Sequence, residues 1–272
     1  MTSTLSVSLL SITFMVITLL ICFMLPIGLG IYFRKKLKAN ITPFFIGCII
    51  FIVFALILES IFNRTIIYST GAFGETILNK PWLIALYGGL AAGLFEETGR
   101  LIAFKYIIKS KLRASDAFMY GVGHGGIEAI LLVGFTFINN IVFSLFINAG
   151  NLEAIIGDNY SAVYNDLSLL STTPSVNFLL GGIERICAIS LHIALSVLIY
   201  IAVTRANKRY MYIVAVLLHA FTNFLVAFSA NYISTLFVEL ILIVMVLCIG
   251  IFVRRQYQDI KREEDGIVQV AK

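Results

Sequence analysis

Apolar residues fall in long runs broken by short polar connections. Seven runs stand out, at about 5–33, 41–62, 81–106, 116–148, 175–204, 209–229 and 232–253. Each is long enough to cross a hydrocarbon core of roughly 30 Å as an α-helix, the fourth and fifth with tilt or protrusion. None shows the short alternating segments of a membrane β-barrel. The pattern predicts an all-α polytopic membrane protein of about seven transmembrane helices, with residues 1–272 forming a single membrane domain.

The connections alternate in charge. Arg34, Lys35, Lys36 and Lys38 follow the first run, and Lys105, Lys109, Lys111 and Arg113 the third. Arg205, Lys208 and Arg209 follow the fifth, and Arg254, Arg255, Lys261 and Arg262 the seventh. The opposite connections hold Arg64, Lys80, Glu75, Glu153, Asp158 and Asp166. The excess of basic residues in cytoplasmic loops places the N-terminus outside and the tail, 254–272, in the cytoplasm, as in a bacterial plasma membrane. The connection near 149–174 reads as a polar loop with a short amphipathic turn, or else a lid.

Composition agrees: 60% of residues are hydrophobic and 13% charged, with a mean hydropathy of +0.96. The net charge of +5 therefore reports topology. It gives no basis for nucleic-acid binding, because no basic cluster is interleaved with aromatics on a soluble segment. Cys22, Cys48, Cys187 and Cys248 all lie in apolar runs without a Cys-x-x-Cys pair, so no disulfide framework or thiolate metal site is expected.

Against this background the polar residues inside the runs carry the chemical signal. Phe95 to Arg100 reads FEETGR, two carboxylates and a guanidinium inside a span. Such groups persist in hydrocarbon only when they face a protein interior or wet cavity and have partners. Glu96 and Glu97 stand four and three residues before Arg100, so one can pair with it while the other stays free. The three histidines, His124, His192 and His219, also lie within spans. Counted from the basic connections, they and the Glu pair fall in one layer, about 12–20 Å in at ~1.5 Å per residue.

His124 with Glu128, and His219 with Asn223, are i,i+4 pairs that can orient an imidazole. Gly121, Gly123, Gly125 and Gly126 around His124 permit close helix approach or a local break. A single intramembrane histidine is more often a packing or transport residue than a ligand. Three at one depth beside a Glu pair favour a common site. Glu184 and Arg185 read more as a structural pair of their own than as support for His192, and Glu59 and Glu239 as interfacial or structural acids.

A carboxylate with two or three imidazoles, here His124, His192 and His219, can hold Zn2+ with an open position for water. Glu96 or Glu97 can then serve as general base, with Arg100, Asn223 or a spare histidine stabilising an oxyanion. Peptide hydrolysis fits this set, although the HExxH motif is absent. A proton-coupled secondary transporter built on the same buried acids and histidines is the alternative, and a catalytically silent scaffold or immunity factor a third.

In sequence order, Glu96-Glu97-x-x-Arg100, Tyr120-x-x-x-His124 with Glu128, His192, and His219-x-x-x-Asn223 resemble the YhfC family of intramembrane metalloproteases. That family is related to the PrsW proteases and to the CAAX prenyl protease and bacteriocin-processing group. The resemblance covers roughly 90–225 and implies a CAAX-protease-like helical core, with the catalytic part at about 81–229. It implies that Glu96 and His124 activate water and that His219 and Asn223 form the oxyanion site. The substrate it implies is a membrane-embedded or membrane-proximal peptide. Arg100 follows the Glu pair after two residues where CAAX proteases have three, and stands where PrsW proteins carry Lys. Which glutamate is catalytic is left open by that spacing. His192 has no place in the simple pattern and is a candidate third ligand, while zinc and a metal-free Glu-activated water both remain compatible.

Overall fold

The computed structural model describes residues 5–68, 71–108, 113–151, 156–157 and 160–270. Lys109, Lys111, Glu153 and Asp158 lie outside the described residues. Among the described residues the chain is helical without strands. Helix α1 is Leu9–Lys36, begun by Ser8, whose hydroxyl accepts from the Ser11 amide. Its last turn carries Arg34, Lys35 and Lys36, cations that suit the negative end of the helix dipole. Helix α2 runs over Thr42–Tyr68, with π-helical stretches at Ile52–Glu59 and Arg64–Tyr68. A short α3, Ala72–Leu78, follows Gly71, whose φ of 55° is a left-handed value that favours glycine.

Helix α4, Pro81–Ile102, starts on proline and continues in π-helical turns to Ile108. Helix α5 is Ala114–Asn148, interrupted by a π-helical stretch at Ala129–Gly134 directly after Glu128. Then come α6, Tyr160–Thr172, α7, Ser175–Thr204, α8, Met211–Ser229, and α9, Thr235–Val270. The last helix runs on through the charged tail, whose Lys, Arg and Glu are good helix formers.

Among the described residues, six helices are long and apolar enough to cross a membrane: α1, α2, α5, α7, α8 and α9. The expected third span is a helix of similar length, α4, but Glu96, Glu97 and Arg100 lower its hydropathy. All three are buried. The bundle interior, not lipid, therefore receives its polar face. The 149–174 connection is more than a loop: α6 docks Leu167 and Leu170 with Val7, Met15, Ile147 and Phe178.

Helix α7 is the central element, and two thirds of its most apolar stretch is buried (67%). Around it, small residues let backbones meet. A Cβ on Gly123 of α5 would collide with the Phe44 carbonyl of α2, and one on Gly121 would come within 2.5 Å of the Ile193 Cα on α7. Gly89 and Gly93 of α4 play the same part against Ala220 and Val216 of α8. Lipid is as apolar as leucine, so close backbone packing of this kind takes over much of the role of the hydrophobic effect. The largest core cluster includes Phe104, Tyr120, Leu195, Leu198, Ile199, Ile201, Met211 and Ala215 and fills the bundle at the end where α7 stops and α8 begins.

Candidate metal centre and its buried charge network

The glycine-mediated crossings bring α4, α5, α7 and α8 close enough for their polar faces to meet in one layer. Glu97 of α4 has no exposed surface. Each of its oxygens accepts from Arg100 Nη1 at 2.6 Å, and Oε1 also accepts from His219 Nδ1 at 2.9 Å. Arg100 Nη2 donates to His192 Nδ1 at 3.0 Å. A guanidinium can only donate, so Nδ1 of His192 carries the lone pair and Nε2 the proton. That Nε2 lies 2.6 Å from Glu128 Oε2, off the line of the ring N–H.

Glu96, one residue before Glu97 and so turned about 100° around the helix, points elsewhere. Its Oε2 takes a hydrogen bond from His124 Nε2 at 2.8 Å and lies 3.9 Å from His192 Nδ1. The Phe51 ring meets His124 edge-on at 5.2 Å, and the Arg100 guanidinium sits over the Tyr120 ring at 5.8 Å. The imidazole rings of His124 and His192 are 4.7 Å apart, those of His192 and His219 5.4 Å.

A cavity of about 330 Å³ opens on this layer. Glu96, Glu128, His192, His219, Thr222 and Asn223 line it, with Glu184 and Arg185 further along its wall. Glu97, Arg100 and His124 do not line it; they stand behind Glu96, His192 and His219.

Donor atoms of Glu96, His192 and His219 lie within 4.8 Å of one another, all three residues buried. This is the Glu/His/His group that the structure brings together. His124, expected as a ligand beside His192 and His219, instead bonds Glu96. The set suits an ion of zinc's type, which takes imidazole nitrogen and carboxylate oxygen. His219 has the backing typical of a ligating imidazole, its Nδ1–H directed at Glu97 and Nε2 left free. Glu128 stands in the corresponding place beside the Nε2 of His192, so one lone pair, on His192 Nδ1, serves either Arg100 or an ion.

The local i,i+4 pairings expected from sequence do not form. His124 bonds Glu96 rather than Glu128, and His219 bonds Glu97 rather than Asn223. Arg185, read from sequence as part of a separate pair, joins the site: Nη1 donates to Glu128 Oε1 at 2.9 Å and Nη2 to Glu184 Oε1 at 2.6 Å. The signal was present, because Arg185 precedes His192 by seven residues, two turns along one helix face.

The family model described as YhfC intramembrane metalloprotease matches residues 21–248. The chain belongs to this family. A curated relative, the uncharacterized membrane protein YhfC of Bacillus subtilis (strain 168), is 38% identical over 216 residues, covering 78% of this chain and 83% of the relative. No solved structure matches the chain. The YhfC match spans all four helices that build the buried layer, and the family description itself implies a metal.

Proposed function

We propose that this YhfC-family protein is an intramembrane endopeptidase of a bacterial plasma membrane, hydrolysing peptide bonds of membrane-embedded or membrane-proximal chains. One observation carries the reading: the carboxylate of Glu96, held by His124, faces a polar cavity beside two imidazoles inside a membrane bundle. A buried acid without a guanidinium partner that faces a polar cavity is suited to proton transfer.

His192 and His219 would hold the metal, with Glu96 beside them as the base. When bound, a zinc ion supplies Lewis acidity, acidifying a water and polarising a carbonyl. The chain's own groups supply the rest. Glu96 takes the proton as water adds to the scissile carbonyl, and returns it to the leaving amine as the C–N bond breaks. His124 keeps Glu96 turned to the cavity. Glu97, neutralised by Arg100, fixes the tautomer of His219. Asn223, one turn beyond His219 on the cavity wall, is placed to donate its amide to the developing oxyanion.

The orientation expected from the charge belt, N-terminus outside, belongs to the same proposal. So does the choice of Glu96 over Glu97 as the working acid. The test compares cells producing equal amounts of the wild type, Glu96→Gln and His219→Ala. New N-termini among membrane proteins are expected with the wild type alone; equal patterns in all three contradict the proposal.

A further inference from the structure

We infer that the buried site is reached from the end of the bundle where α7 starts and α8 ends, opposite the Arg/Lys belt. Its substrates are then segments presented at that face of the bilayer. The substrate statement rests on the peptidase reading above; the access route does not. Counting residues from the basic connections places the glutamate and histidine layer nearer the basic face, which suggests lateral entry or entry from the cytoplasm. The packing argues against the cytoplasmic route.

The cavity walls have a direction. On α8 they are His219, then Thr222 and Asn223, then Val226 and Ala227, successive turns toward the end of the helix at Ser229. On α7 they are His192 and Leu191, then Ala188, then Glu184 and Arg185, successive turns toward its start at Ser175. The two helices are antiparallel neighbours, so both series climb the same way, about 12 Å over eight residues at ~1.5 Å each. Ala227 is exposed and lies two residues from the end of α8, and the Glu184 side chain is 33% exposed.

In the other direction the bundle is closed. Arg100, Leu195, Leu198 and Ala215 have no exposed surface, and Ile199, Ile201, Phe104 and Tyr120 pack beyond them. A second cavity of about 290 Å³ does exist at the basic end, lined by Leu101, Lys105, Ala202, Val203, Arg209 and Tyr212. It stops short of the site. Thr98 is hydrogen-bonded to the Tyr212 hydroxyl at 2.8 Å, and the fully buried Arg100, Leu195, Leu198 and Ala215 stand between this cavity and Glu96. Close-packed side chains of this kind leave no passage for a peptide or for bulk water.

The test uses the full-length protein in sealed membranes and needs no substrate. Ala188→Cys and Ala227→Cys probe the cavity, Ser234→Cys marks the proposed entry face and Asn207→Cys the basic face. A small charged methanethiosulfonate is added to one side at a time, and modification is read by mass spectrometry over the background of the unsubstituted chain. Cavity cysteines are expected to react at least tenfold faster from the Ser234 side than from the Asn207 side. Reaction from the Asn207 side, or from neither side while Ser234→Cys reacts, overturns the inference. If the entry side is as expected but the wild type generates no new N-termini, the peptidase reading fails and the access route stands. Cleavage sites mapping to the Asn207 face overturn the substrate statement.

Discussion

Adjacent in sequence, Glu96 and Glu97 have opposite surroundings. Glu97 is locked between Arg100 and His219, and removing its charge leaves a fully buried guanidinium uncompensated. Breaking a buried pair in this way costs about 3–5 kcal/mol. Glu97→Gln is therefore expected to lower the melting temperature of the purified protein sharply, whereas Glu96→Gln, which keeps an acceptor for His124, keeps the wild-type melting temperature and loses cleavage. The reverse pattern of stabilities would exchange the two roles. Metal content gives a second check. Elemental analysis is expected to find zinc near one per chain in the wild type and none in the His192→Ala, His219→Ala double variant. Glu128→Gln, which acts beside His192, should weaken zinc binding by about 10–100-fold, as losses of such supporting partners do.

At the scale of the elements, glycine decides which helices can meet. The Gly123 backbone lies against the Phe44 carbonyl, and a carbonyl in a helix cannot swing aside as a side chain can. Gly123→Ala is expected to destabilise by about 3 kcal/mol, the upper end for overpacking. Gly88→Ala, on the same kind of helix with open space around it, should leave the melting temperature unchanged. The helices themselves were legible from runs of apolar residues: the 175–204 and 116–148 runs match α7 and α5 within two residues. The π-helical turns, α3 and α6 were not, because they depend on tertiary packing or lie in polar sequence without strong periodicity. The site was legible as a set. Charged and imidazole groups in hydrocarbon are costly enough that Glu96, Glu97, Arg100 and the three histidines had to converge. Apart from the Glu97–Arg100 pair, three residues apart and readable from spacing, the partners were not, because the other hydrogen bonds run between helices 28 to 122 residues apart in sequence. Arg185 shows the same limit, its link to Glu128 crossing from α7 to α5.

For the whole molecule, six strongly apolar helices among the described residues pack with a seventh, α4, whose buried face carries Glu96, Glu97 and Arg100. The bundle thus shields a charged element that lipid alone would not accept. Its polar cavity points to one end and its packed core to the other. The most direct measurement is cleavage by the purified protein. Wild-type and Glu96→Gln chains are each placed in vesicles with membrane proteins extracted from the producing cells, and new N-termini are counted by mass spectrometry after incubation. New termini with the wild type and none with Glu96→Gln are predicted. Equal counts from the two chains would contradict the assignment of hydrolysis to the Glu96 site.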